Sequence, residues 1–347
     1  MTDQVEVNGK KYNLQNGFLD LGLLEITDLS QIKGLKKIKN LTHLELSSND
    51  ITSLEGFEKI KELKILNLGS NVITEISGMG ELKSLEVLHL TSNQISEIKG
   101  LENLLNLKEL YLRGNQISQI RGLNKLKRLE KLDLSWNIIS KIEGLDSLQN
   151  LEVLWISGNQ LKEISGLENL KNLKILNLGG NPISDIRGLD SLTNLKELYI
   201  NNCLIKKIKG LENLVNLETL WLNGNDVFKV EGIDNLTDLK ILNLKENDII
   251  EINGLYSLTK LEKLFLSSNK ITEIKGLEPL SNLDTLDLGE NSITEVKGLE
   301  SLMVLTSLWV KNTLIPPELI EQLGGLDSSG YANLPMKWVE YSLINLS

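Results

Sequence analysis

A 22-residue repeat runs through the sequence and constrains the fold more than any other feature. Glycine recurs thirteen times at that interval, from Gly34 to Gly298, and no insertion interrupts the series. An asparagine ladder runs in the same register from Asn49 to Asn291, broken only where Cys203 takes an asparagine position. A unit of this length is too short to bury its own apolar face, so successive copies must stack on one another.

Each copy has the form L-x-x-L-x-L-x-x-N-x-I-x-x-I-x-G-L-x-x-L. The L-x-L segment alternates as a strand does, so it places Leu44 and Leu46 inward and residues 43, 45 and 47 outward. Asparagine carries both a donor and an acceptor for the backbone groups at the point where the chain leaves the strand. The pattern therefore predicts stacked parallel strands beside a structural asparagine column, with Cys203 as a buried structural thiol.

The two ends of the chain depart from the repeat and predict caps. The stretch "VEVNGKKYNL" at residues 5–14 is typical of a hairpin with a turn at its Asn-Gly pair. Pro316 and Pro317 open a short helix, and a second short helix is expected over residues 335–343. We predict an N-terminal hairpin cap over residues 1–18, a solenoid of about 13–14 coils over residues 19–315, and a C-terminal helical cap over residues 316–347.

These motifs resemble those of leucine-rich repeat proteins. The 22-residue length and the I-x-x-I-x-G-L segment are similar to the subclass found in the leucine-rich-repeat regulatory subunit of type-1 protein phosphatase and, less closely, in bacterial internalins. The resemblance extends over residues 19–315. It implies an α/β fold: a leucine-rich repeat solenoid, or horseshoe, with a concave parallel β-sheet, short 3₁₀ or irregular segments on the convex side, and capped ends.

One outward strand position holds an unusual share of the aromatic residues. We call the residues between the two strand leucines the central row: Glu45, Asn67, His89, Tyr111, Asp133, Trp155, Asn177, Tyr199, Trp221, Asn243, Phe265, Asp287 and Trp309. Six of these thirteen are Phe, Trp or Tyr, although the chain has only 5 Trp, 6 Tyr and 4 Phe among 347 residues. Such a row serves either cross-strand packing or partner binding. The polar residues interleaved with the rings favour binding.

We therefore predict that the concave face binds a folded protein. The predicted partner-binding residues are Glu45, His89, Tyr111, Asp133, Trp155, Tyr199, Trp221, Phe265, Asp287 and Trp309 of the central row, with Trp136 at an adjacent strand end. The resemblance implies that a phosphatase regulator binds through aromatic and acidic residues of this face, which Glu45, Asp133, Trp155, Trp221, Asp287 and Trp309 match by type.

The predicted function is a non-enzymatic protein–protein interaction scaffold, either a regulator of a phosphatase or GTPase or a binder of a cytoskeletal protein or another assembly. The alternative is an internalin-like surface adhesin, for which the repeat length fits. The sequence has no nucleophile–base set and no phosphate-binding loop, so neither catalysis nor a cofactor is expected. We also expect no metal site, because His43 and His89 would lie about 10 Å apart at the spacing of strands.

Composition restricts the partners and the compartment. The net charge of −10 argues against nucleic acid and anionic membranes. The single cysteine allows no internal disulfide, which is typical of a reducing compartment. No stretch reads as a secretion signal or a membrane span, so we expect a cytoplasmic protein that is a monomer when unbound.

Overall fold

The computed structural model describes residues 4–345, and the predicted caps extend beyond this range to residues 1–3 and 346–347, which lie outside the described residues. The chain divides into two compact units. The first contains Met1–Leu161 with Ser165–Leu173, and the second contains Lys162–Ile164 with Lys174–Ser347. The 22-residue repeat runs through both units without insertion.

The first unit begins with the antiparallel hairpin of β1 (Gln4–Val7) and β2 (Lys10–Asn13). Asn8 and Gly9 turn this hairpin with φ angles of 50° and 77°. This is the left-handed pair that a type I′ turn requires. Seven parallel strands follow: β3 (Phe18–Asp20), β4 (His43–Glu45), β5 (Ile65–Asn67), β6 (Val87–His89), β7 (Glu109–Tyr111), β8 (Lys131–Asp133) and β9 (Val153–Trp155).

The second unit contains seven more parallel strands and two helices. The strands are β10 (Ile175–Asn177), β11 (Glu197–Tyr199), β12 (Thr219–Trp221), β13 (Ile241–Asn243), β14 (Lys263–Phe265), β15 (Thr285–Asp287) and β16 (Ser307–Trp309). The helices are α1 (Pro317–Gln322) and α2 (Pro335–Ile344), each with a proline at its start where the missing N–H costs nothing.

The predicted fold class, a solenoid of parallel strands, is confirmed, and among the described residues each unit contributes seven of these strands. Irregular return segments connect the strands, with 3₁₀ turns at Leu29–Gln31, Leu35–Lys37 and Phe57–Lys59. The inward leucines form the core, and Leu44 and Leu46 are fully buried as their alternation predicts. Neighbouring coils pack closely in the return segments: a Cβ on Gly78, whose φ is +78°, would lie 2.7 Å from the carbonyl oxygen of Leu54.

The asparagine ladder is structural, as predicted. Asn71 is typical: its amide donates to the carbonyl oxygens of Leu46 and Leu68, both at 3.0 Å, and its oxygen accepts from the N–H of Ile51 at 3.0 Å. Cys203 in the same ladder is buried, and its thiol lies 3.6 and 3.7 Å from two backbone carbonyl oxygens. Burial raises the pKa of this thiol.

The C-terminal segment covers the end of the last coil. The N–H of Ala332 donates to the carbonyl oxygen of Leu308 at 2.8 Å, so the segment satisfies part of the outer edge of β16. Ser342 of α2 accepts a hydrogen bond from the N–H of Leu299 at 3.1 Å, and Trp338 of the same helix is fully buried. These contacts give residues 317–344 a structural role at the end of the solenoid.

Candidate functional site

The central row occupies the last residue of each strand from β4 to β16, on the side opposite the leucine core. We call this outward side of the strands the strand face. All row members are half-buried except Asn243, which is buried. The row therefore lies where the alternation predicted, with its rings neither in the core nor fully in solvent.

In the first unit the aromatic members contact one another. The rings of His89 and Tyr111 stack with centroids 4.4 Å apart and planes 2° from parallel. The ring of Trp155 lies 6.4 Å from that of Tyr111, at an interplanar angle of 24°. Burial lowers the pKa of His89, which favours the neutral imidazole in the stack. Cross-strand packing thus orders these rings while their remaining surface stays accessible.

Each strand-face tyrosine is held by a glutamate two residues earlier on the same strand. The hydroxyl of Tyr111 donates to Glu109 at 2.7 Å, and that of Tyr199 donates to Glu197 at 2.7 Å. Burial and this carboxylate raise the pKa of Tyr111, and they raise the pKa of Tyr199 to about 12. The hydroxyls are thereby engaged within the chain, which leaves the ring faces as the surface available for contact.

The acidity of Glu109 reflects two opposing effects. Burial raises its pKa, but hydrogen bonds from Tyr111 and from Lys131, whose ammonium lies 3.0 Å away, outweigh burial and lower the pKa overall. Glu109 is therefore a charged acceptor that fixes Tyr111. Sequence reasoning missed both glutamates, although the signal is present as the repeated tetrapeptide "KELY" at residues 108–111 and 196–199.

In the second unit the aromatic members are more dispersed. The rings of Tyr199 and Trp221 are tilted by 54° with centroids 5.7 Å apart. Trp309 is engaged by the C-terminal segment: its indole N–H donates to the carbonyl oxygen of Ser329 at 2.8 Å. Gly289 lies beside this indole and leaves no room for a Cβ. Among the predicted residues, Trp309 is thus tied to the chain's own C-terminal segment.

Trp136 lies just beyond β8 at a turn position that is left-handed in neighbouring coils too, at Gly114 and Gly158. Its φ is +57°. This left-handed region costs a non-glycine residue about 1–2 kcal/mol. The guanidinium of Arg113 lies 5.9 Å from the ring centroid, and a Cβ on Gly158 would come within 3.0 Å of the ring. The indole nevertheless remains 60% exposed, as predicted, and sequence reasoning missed Arg113 and Gly158, which hold this ring.

The acidic members of the row have a backbone role that the sequence did not reveal. A carboxylate oxygen accepts from the N–H two residues later in each case: Glu45 from Ser47 at 2.7 Å, Asp133 from Ser135 at 2.9 Å, and Asp287 from Gly289 at 3.3 Å. Such local bonds are typical of acidic and amide side chains where a strand ends. Burial also raises the pKa of Asp287.

The strand face thus offers fixed aromatic rings with carboxylates between them, an arrangement suited to binding a protein surface. Among residues 4–345, no three His, Cys, Asp or Glu side chains converge as a metal site would require. In the same range, the helices are too short or too polar to cross a lipid bilayer.

Comparison with known families matches leucine-rich repeat models across most of the solenoid. A two-copy leucine-rich repeat model matches residues 83–121, 105–147, 149–191, 193–238 and 237–279, and a second leucine-rich repeat model matches residues 39–95. No curated protein matched the sequence significantly. The subclass of the phosphatase regulatory subunit does not emerge from these matches.

Several solved structures share the fold. An internalin from Listeria monocytogenes is 30% identical with a TM-score of 0.77, over 85% of this chain and 87% of the internalin. A leucine-rich repeat protein from Leptospira interrogans is 29% identical with a TM-score of 0.72, over 88% and 86% of the two chains. A plant peptide hormone receptor in complex with its peptide is 24% identical with a TM-score of 0.64, over 83% of this chain and 51% of the receptor, which shows the fold alone. By its repeat models and its internalin-like structural neighbours, the chain belongs to the leucine-rich repeat family.

Proposed function

We propose that this protein is a non-enzymatic scaffold that binds a folded protein on its strand face. The observation that supports this most strongly is the set of half-buried aromatic rings there, several ordered by contacts within the chain. Fixed aromatic side chains lose little conformational entropy on binding, which is why Tyr and Trp dominate binding hot spots. The fold is that of a family whose solenoids are binding scaffolds.

Two finer versions of this function differ in the partner and the compartment. One is a cytoplasmic regulator of a phosphatase or a GTPase, which rests on the similarity of the repeat to that of the phosphatase regulatory subunit. The other is an internalin-like surface adhesin, and the internalin that is 30% identical supports it. Fractionation of the source cell distinguishes them: the regulator is recovered in the cytosol, and the adhesin is cleaved by protease added to intact cells.

The binding proposal is tested by replacing Trp155, Tyr199 and Trp221 together with alanine. Partner binding should weaken by several kcal/mol, because truncating one hot-spot residue commonly costs about 2 kcal/mol or more. Partner recovery is quantified by affinity capture from the source cell, alongside the melting temperature of the purified variant. The fold should survive, because these side chains point away from the leucine core.

A matched control replaces three apolar residues of the return segments, Phe228, Ile250 and Tyr256, which are 47%, 57% and 66% exposed. This variant should capture the same partner as the unmodified protein. If the strand-face variant melts much earlier but binds equally well per folded molecule, the rings serve packing and the binding proposal is wrong.

A further inference from the structure

Three successive strands of the first unit place an aspartate between two aromatic residues. In register, Tyr111 of β7 lies beside Asp133 of β8, and Asp133 lies beside Trp155 of β9. Residues two strands apart are separated by about 9.6 Å at ordinary strand spacing. The two ring centroids are only 6.4 Å apart. The rings of Tyr111 and Trp155 therefore lean toward each other across the strand that carries Asp133.

The carboxylate of Asp133 has bonding capacity left. Its Oδ1 accepts from the N–H of Ser135 at 2.9 Å. Over the described range 4–345, no Lys, Arg or His nitrogen lies within 4.0 Å of its carboxylate, and its Oδ2 accepts no hydrogen bond from the protein. Glu109, the other carboxylate on strands β7 to β9, is bound by Tyr111 and Lys131. Asp133 is thus the carboxylate of these strands that is free to meet an external donor.

The second unit repeats the order of aromatic residue, aspartate and aromatic residue, but there the chain itself supplies a hydrogen-bond donor to the second carboxylate oxygen. Phe265, Asp287 and Trp309 lie side by side on β14, β15 and β16. The hydroxyl of Ser267 donates to Asp287 Oδ2 at 2.6 Å, while Oδ1 accepts from the N–H of Gly289. Both carboxylate oxygens are therefore used within the chain. We call Tyr111, Asp133 and Trp155 of the first unit the open triplet, because their aspartate keeps one carboxylate oxygen without a hydrogen-bond donor.

We propose that Asp133, Tyr111 and Trp155 together receive an arginine side chain of the protein partner, an inference that rests on the proposed binding function. A guanidinium is planar and weakly hydrated, stacks on aromatic faces, and donates two parallel N–H bonds to one carboxylate. A lysine ammonium is compact and strongly hydrated, so it uses flat rings less well. The chain's net charge of −10 also attracts basic partners.

The same face already shows this chemistry in one internal contact. The guanidinium of Arg113 lies 5.9 Å from the ring centroid of Trp136, next to the open triplet. Nearby cations do not fill the site: Lys131 is paired with Glu109 at 3.0 Å. An incoming guanidinium therefore finds a carboxylate without a competing internal ion pair.

The test uses N-acetyl-arginine amide as the probe and follows the indole ¹⁵N–¹H signals of the full chain by NMR at low ionic strength. The signal of Trp155, assigned with Trp155→Phe, should shift saturably with this probe. N-acetyl-citrulline amide, which has nearly the same shape without the charge, should cause no saturable shift, and N-acetyl-lysine amide should bind more weakly. Asp133→Asn keeps the acceptor for Ser135 and should weaken arginine binding about tenfold, because a charge-assisted bidentate pair is lost. The matched control is Asp238→Asn on a return segment, where Asp238 is paired with Lys260 at 2.5 Å, and it should bind as the unmodified protein does.

Equal binding by Asp133→Asn and the unmodified protein, or equal binding of citrulline or lysine, overturns the arginine site. These failures are distinguishable from failure of the proposed function. If the probe results fail while the triple alanine variant still loses its partner, the strand face binds a protein by other chemistry. If the triple alanine variant keeps its partner, the binding function itself fails, whatever the probe does.

Discussion

Replacement of Asn137 by alanine tests whether the asparagine ladder stabilises the solenoid. The Asn137 amide donates to the carbonyl oxygens of Leu112 and Leu134, both at 3.0 Å, and to that of Ser135 at 3.3 Å. Its oxygen accepts from the N–H of Ile117 at 2.9 Å. Asn137 is only 7% exposed, so water does not readily replace these bonds.

The expected loss in the free energy of unfolding depends on which backbone groups are left without any hydrogen-bond partner in Asn137→Ala. The Leu112 carbonyl also accepts from Asn115 at 2.9 Å, and the Leu134 carbonyl also accepts from Asn159 at 3.0 Å, so both stay satisfied in the variant. The buried N–H of Ile117 loses its acceptor in the variant, and a buried donor without a hydrogen-bond partner costs about 1–3 kcal/mol. Adding roughly 0.5–1.5 kcal/mol for each of the two 3.0 Å bonds lost from the amide gives about 2–6 kcal/mol in all.

The free energy of unfolding is measured by urea titration with circular dichroism. Cys203→Ala is the control, because this ladder position lacks the amide and its thiol lies at the long distances of 3.6 and 3.7 Å from carbonyl oxygens. We expect a loss of about 1 kcal/mol for this control. A loss below about 1 kcal/mol for Asn137→Ala, or equal losses for the two variants, would refute the ladder's predicted role.

Three further predictions concern Trp136, the C-terminal segment and His89. Trp136→Gly should change the free energy of unfolding by less than about 0.5 kcal/mol, because relief of the left-handed backbone offsets the lost cation–π contact. Partner capture by this variant should fall. Marked destabilisation with intact capture would contradict this prediction. Removal of residues 316–347 should cause aggregation, detected by light scattering, because it exposes the last coil and leaves the Leu299 N–H without its bond to Ser342. A stable monomer would show that the segment is dispensable. Burial lowers the pKa of His89, so the unfolded chain binds a proton more readily than the folded chain, and the free energy of unfolding falls as the pH drops through the unfolded pKa of about 6.5. The urea midpoint of the unmodified protein should therefore fall more between pH 7 and pH 5 than that of His89→Asn. Equal falls would contradict this assignment.

The sequence predicts which side of each strand a residue occupies, because a two-residue period fixes the face. Leu44 is therefore buried and Tyr111 faces outward, as the alternation requires. The asparagine ladder was equally readable, since a buried side chain with both donor and acceptor has few other uses in such a turn. These features depend on the repeat alone, so one copy predicts the others.

The details of the site depend on side-chain torsions and on contacts across the chain, which periodicity does not specify. The hydrogen bond from Tyr111 to Glu109 is set by two rotamers. The bond from Trp309 to Ser329 joins the last strand to the C-terminal segment, which has no repeat pattern. The local bond between Asp133 and Ser135 was also invisible, because an outward aspartate fits a binding residue and a backbone cap equally well.

The most direct test of binding on the strand face is photo-crosslinking at two positions. p-Benzoylphenylalanine replaces Thr219, which lies on β12 two residues before Trp221, or Tyr256, which is 66% exposed on a return segment. The two variants carry the same reactive group and differ only in the surface that presents it. We predict a covalent adduct with the partner from position 219 and none from position 256. An adduct from position 256 with none from position 219 would contradict binding at the strand face.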